Sequence, residues 1–148
     1  MLAVSNTSPI SNLASIGRLS LMRSQFSELW IPTAVLDELT LHPDPVARFD
    51  IETAIGDRWI KTAAVQSSAL LDVFLSSLHR GEAEAIALAT NLKADIVVID
   101  EQEGRQIATQ AGISETSTSP NLRSSRESEL RTLSFKPGSS MARVRCTL

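Results

Sequence analysis

The sequence predicts an α/β fold in which a mainly parallel sheet lies between helices. Three observations carry that prediction. Short apolar runs alternate with stretches of helical periodicity over roughly the first three-quarters of the chain. One run, "DIVVID" from Asp95 to Asp100, is continuous and β-branched, the pattern of a strand covered on both faces. The segment before it, "GEAEAIALATNL" from Gly81 to Leu92, is alanine-rich and apolar nearly all round, the pattern of a buried helix. Strands alternating with helices are the mark of βαβ units, whose strands run parallel.

Each element has its own signal. "LAV", Leu2 to Val4, is a short buried strand. Ser8-Pro9 reads as an N-cap followed by proline at the first helical position, Ile10, Leu13 and Ala14 give the apolar spacing, and Gly17 ends the helix. "RLSLMRSQF" gives a second short helix with Leu19, Met22 and Phe26 on one side. "ELWI", Glu28 to Ile31, is the second strand. "TAVLDELT" follows as a helix that buries Val35, Leu36 and Leu39, and Pro43 and Pro45 break it. A helix over Val46 to Ile55 leads to a Gly56-Asp57 turn and then to "RWIKTAAV", a short edge strand. "ALLDVFLSSL" is an amphipathic helix, and the alanine-rich helix and the strand "DIVVID" complete the pattern. His42 and His79 read as surface residues, and Trp30 and Trp59 as core.

The bulk numbers limit what the chain can be. Its 148 residues suit one domain, and 43% hydrophobic with 21% charged residues is ordinary for a globular protein. No apolar run approaches the ~20 residues of a membrane span. The N-terminus lacks the basic start and apolar stretch of a signal peptide. One cysteine, Cys146, excludes an intrachain disulfide. A cytoplasmic location without membrane association is the expectation. The net charge of −3 hides a split: 8 Lys/Arg against 15 Asp/Glu up to Thr116, then 6 against 2. A body this acidic shows no basic face for nucleic acid, so binding RNA or DNA would need metal ions or a local basic patch to offset its charge.

Four residues suggest where such ions would sit. Asn6 lies just past "LAV" and Asp100 ends "IVVI"; ligands of parallel sheets bind beyond the carboxyl ends of strands. Glu84 lies inside a helix that is apolar nearly all round, where a carboxylate is costly unless paired or bound to a cation. Glu38 borders the Val35–Leu39 stripe. Oxygen donors of this kind suit Mg²⁺ or Mn²⁺. Plainer readings stand beside this one. Asp100 with Glu103 fits a capping box, Glu82 and Glu84 suit the first turn of a helix, Glu38 fits a solvated helix face, and Asn6 a turn.

In order, "VSNTSPISNLASIGRLSLM", "LWIPTAVLDEL" and "GEAEAIALATNLKADIVVIDEQEGRQIA" resemble a PIN-domain protein, and within that superfamily the VapC-like toxin ribonucleases. The resemblance covers Leu2 to Ile113. It implies a three-layer fold with a mainly parallel sheet of about four to five strands. It also implies an acidic pocket that binds Mg²⁺ or Mn²⁺ and cleaves RNA. By that resemblance Asn6, Glu38, Glu84 and Asp100 take the metal-binding positions, with Glu38, Glu84 and Asp100 as the catalytic acids. Thr7, Ser8, Glu101 and Arg105 support them. The implied partners are RNA, a cognate antitoxin protein and a second copy in a homodimer.

Two departures mark this chain. Residue 6 is Asn where most of the superfamily carries Asp. After Gly112-Ile113 the Ser/Arg-rich stretch shows neither the subgroup's fifth strand nor its leucine-rich helix, which predicts an open sheet edge. The domain boundaries are therefore 1–113 for the PIN-like nuclease domain and 114–148 for a divergent tail. A non-catalytic PIN-like module that binds a protein or RNA is the alternative to an active ribonuclease.

Overall fold

Parity along the strands decides which residue reaches which layer. The structure is a computed structural model and describes residues 1–100, together with the backbone of a two-residue strand, Val144–Arg145. Strands β1 (Leu2–Ser5), β2 (Glu28–Pro32), β3 (Ile60–Ala63) and β4 (Ile96–Val98) form a parallel sheet in the order β3-β2-β1-β4. Helices α1 (Thr7–Ser15) and α2 (Ser20–Gln25) join β1 to β2. Helices α3 (Thr33–Thr40) and α4 (Pro45–Gly56) join β2 to β3, and α5 (Ala69–Leu75) and α6 (Arg80–Leu92) join β3 to β4.

Successive strand residues point to opposite faces. Ala3, Leu29, Ile31, Ile60, Ile96 and Val98 pack on one side with Ile10 and Leu13 of α1, Met22 of α2, Val35 of α3 and Ile51 of α4. Val4, Trp30 and Val97 pack on the other side with Ala85, Leu88 and Ala89 of α6. Ala83 and Ala87 of α6 face Leu71 and Phe74 of α5. Helix α6 is therefore covered by the sheet and by a second helix, which is why its sequence is apolar nearly all round. The result is the three-layer α/β arrangement.

The two central strands are locked in register at both ends. Asp95 accepts a hydrogen bond from the Leu2 amide at 2.8 Å through Oδ2 and donates its own amide to Leu2 O at 2.9 Å. At the other end, the Asn6 amide donates to Val98 O at 3.2 Å. On the α6 face of β2 and β3, Lys61 Nζ lies 2.7 Å from Glu28 Oε1 and 5.4 Å from the centre of the Trp30 ring. The Trp30 indole donates to Glu28 Oε2 at 3.3 Å. Lys61 and then Trp30 hold the Glu28 carboxyl below its ordinary pKa by hydrogen bonding to its charged form.

Several expectations change. The first helix begins at Thr7 rather than Pro9, and its N-cap is Asn6 rather than Ser8. Pro9 is still within the first turn, where its missing N–H leaves no intrahelical bond unmade. His42 is buried, with 7% exposure, rather than at the surface. Its Nδ1 accepts from the Asp44 amide at 3.1 Å, and its Nε2 lies 3.3 Å from Ser15 Oγ. It ties the end of α1 to the elbow between α3 and α4, two elements too far apart in sequence to show as a motif. Trp30 and Trp59 are half-buried at the margins of the two cores. The open edge expected beside β4 is taken by β5 (Val144–Arg145), which pairs antiparallel through Ile96↔Arg145 and Val97↔Val144.

Candidate active site

The carboxyl ends of β1 and β4 lie side by side, and the polar residues that follow these strands share one rim of the sheet. Asn6 follows β1 directly, is 2% exposed, and is joined to β4 through the bond to Val98 O. Asp100 lies two residues beyond β4 and is half-buried. Ser5, fully buried, donates its hydroxyl to Asn6 O at 3.0 Å and lies 3.4 Å from Val98 O. It serves the backbone carbonyls where the ladder between the strands runs out.

Glu38 comes to this rim from α3. The Thr7 hydroxyl, at the first position of α1, donates to its Oε2. Its Oε1 lies against Gly81 in the first turn of α6: a Cβ built on Gly81 would stand 3.0 Å from that oxygen. Any larger residue at position 81 would press on the carboxylate, so glycine here permits a close approach. The site of approach also suits the charge, because a helix N-terminus favours an anion.

Glu84 reaches back the other way, from α6 to α3. Its residue is 6% exposed. Oε2 accepts from the Ala34 amide at 3.3 Å and Oε1 from Arg80 Nε at 2.8 Å. Helix α3 begins after Pro32, whose side chain offers no acceptor to the first-turn amides. Glu84 supplies that acceptor from another helix. The Glu84 carboxylate, through its hydrogen bond and its charge, raises the Arg80 pKa above its ordinary value, and Asp37 adds to the effect.

Glu82 is also buried, and it closes a capping box by accepting from the His79 amide at 3.0 Å through Oε2. That is the local, first-turn role its position suggested. Ser8 is half-buried in the first turn of α1. Glu101, Arg105 and the partner of the Asp100 capping box, Glu103, lie outside the described residues. Sequence reasoning missed Arg80, Gly81 and Ser5 as contributors to the rim. Arg80 precedes Glu84 by four residues, a helical ion-pair spacing that was open to view.

The donors at this rim are all oxygen, one amide and three carboxylates, and that chemistry fits a hard divalent cation. The grouping itself is looser. Among the described residues no three His, Cys, Asp or Glu side chains stand close enough together to hold a metal ion. Residue 6 brings no carboxylate, Glu84 is drawn to Arg80 and Ala34, and Glu38 is drawn to Thr7.

Among the described residues no helix is long and apolar enough to cross a membrane. Comparison with curated proteins and with solved structures found no match. The chain does match a family model described as a PIN domain, over residues 2–119. That match covers well over half of the chain and agrees with the four parallel strands and six flanking helices among the described residues, so the chain belongs to the PIN-domain family.

Proposed function

We propose that the chain is a metal-dependent ribonuclease that hydrolyses RNA phosphodiester bonds, and that it is the toxin of a type II toxin–antitoxin pair of the VapC-like subgroup. The observation that carries this reading is the arrival of Asn6, Glu38, Glu84 and Asp100, from four separate elements, near the carboxyl ends of adjacent strands in a PIN-domain fold. Mg²⁺ or Mn²⁺ would supply an activated water and offset the charge that builds on the phosphoryl oxygens. Glu38 and Asp100 are the acids to hold the ion, with Glu84 and the Asn6 amide oxygen as further donors. Thr7 orients Glu38 by donating to one oxygen, which leaves the other toward Gly81. Asn6 cannot take up a proton, so proton transfer falls to a carboxylate.

The substrate is RNA, the partners are a cognate antitoxin and a second copy of the chain, and the compartment is the cytoplasm. A purified sample given Mg²⁺ or Mn²⁺ should cut single-stranded RNA, and excess EDTA should stop it. Glu38→Gln and Asp100→Asn should each reduce the rate by more than the roughly 10–100-fold typical of losing an outer-shell partner. Cleavage that persists in EDTA, or that neither substitution slows, overturns the reading.

A second reading is favoured by Asn6 and by the loose grouping of the acids. It is a PIN-like module that binds a protein or RNA without cutting. Under this reading the wild type is inert with either metal.

A further inference from the structure

We propose that Arg80 is a built-in counter-cation of the acid site, and that its ion pair with Glu84 and the binding of a divalent cation by Glu84 exclude one another. This rests on the metal-dependent reading of the site.

The four-residue spacing brings Arg80 to Glu84, but other local rules disfavour it there. It is the first residue of α6, where the helix dipole disfavours a positive charge. Its pairing with Glu84 runs from cation to anion along the chain, the weaker order for residues four apart. It is also largely in solvent: its side chain is 77% exposed, against 7% for that of Glu84. An exposed arginine gains little from such a pair. The buried partner gains more, because a carboxylate out of water needs a compensating charge or donor. The Ala34 amide supplies one donor and Arg80 supplies the charge.

The guanidinium thus stands where a cation is needed, on a side chain free to withdraw into solvent. Asp37, on the exposed side of α3, lies near enough to influence it there. Arg80 Nε already stands 2.8 Å from Glu84 Oε1, and a divalent ion binding that same oxygen would be repelled by the like charge of the guanidinium. One of them must leave.

The test is calorimetric titration of the full chain with Mn²⁺, in wild type, Arg80→Ala and Arg80→Gln. The glutamine keeps most of the stem and removes the charge, so it serves if the alanine variant folds poorly. Both should bind Mn²⁺ about threefold or more tightly than wild type, since an exposed ion pair no longer competes. Melting temperature gives a second readout. Without metal the variants should melt below wild type, and added Mn²⁺ should raise their melting temperature by more than it raises the wild type's. Equal or weaker Mn²⁺ binding by Arg80→Gln overturns the proposal, as does an absence of binding in every form. Tighter binding in a protein that leaves RNA intact sinks the ribonuclease reading alone. RNA cleavage by the wild type with unchanged affinity in the variants sinks the Arg80 proposal alone.

Discussion

Gly81 and Glu38 approach closely at the rim, and neither explains itself from its own element. A methyl group on residue 81 would stand 3.0 Å from Glu38 Oε1. That oxygen ends a flexible side chain, so the fold can yield while the carboxylate is displaced. Gly81→Ala should therefore leave stability within about 1 kcal/mol of wild type, the scale of the helix-propensity difference. Divalent-ion affinity should fall roughly tenfold, the size of loss that follows when a ligand loses its orienting contacts. Paired calorimetry and thermal melts check it, and unchanged affinity would count against a metal role for Glu38. The residue types at this rim were open to reading in the sequence, because acids within apolar segments stand out. Their connections were not. Nothing in "LAVSNTSP" or "TAVLDELT" states that Thr7 donates to Glu38, and nothing in "GEAEA" states that Glu84 caps α3.

At the level of elements, helix ends show how far local signals reach. At Asp44-Pro45 the start signal is local, although Pro45 reads in the sequence only as a breaker and the helix is expected from Val46: Asp44 caps α4 by accepting from the Val46 amide at 2.9 Å, with proline at the first helical position. Asp44→Ala should cost about 1 kcal/mol, and Asp44→Asn much less, in chemical denaturation at neutral pH. Equal losses in the two would show that charge rather than capping matters there. Helix α1 departs from its local signal. Ser8-Pro9 looks like a cap and a first residue, yet the helix starts at Thr7 because β1 ends at Ser5 and Asn6 is fixed to β4. A tertiary hydrogen bond moved the boundary by two residues. Helix α3 goes further, since its sequence has no side-chain cap and a residue 50 positions away supplies one. Buried His42 belongs to the same class, because its partners Ser15 and Asp44 come from either end of a long excursion through α2 and β2.

Across the whole molecule, the layers separate electrostatic duties. Glu28, Trp30 and Lys61 form a stabilising cluster on the β2–β3 face. Because Lys61 and Trp30 lower the folded-state pKa of Glu28, the pair contributes stability above the unfolded pKa and loses it as the pH falls through the folded value. Glu28→Gln should lower the melting temperature slightly at neutral pH and leave it equal to wild type well below about pH 4, the unfolded range of a glutamate. A pH series of melting curves for the two proteins measures this. The parallel topology was legible because both connecting helices and strands carried clear periodicity. The partition of the strands into two cores followed from parity alone. One consequence concerns the order in which the chain is made. Strand β1 is central, flanked by β2 and β4, and Ser5 pairs with Val98. About 60 residues separate the end of β2 from β4, and at roughly 5–20 residues per second a ribosome needs on the order of 3–13 s to add them. Through that interval one flank of β1 has no partner, and Asp100 does not yet exist. A nascent chain of this protein thus cannot bring Asp100 beside Asn6 until β4 has been made and has paired with β1.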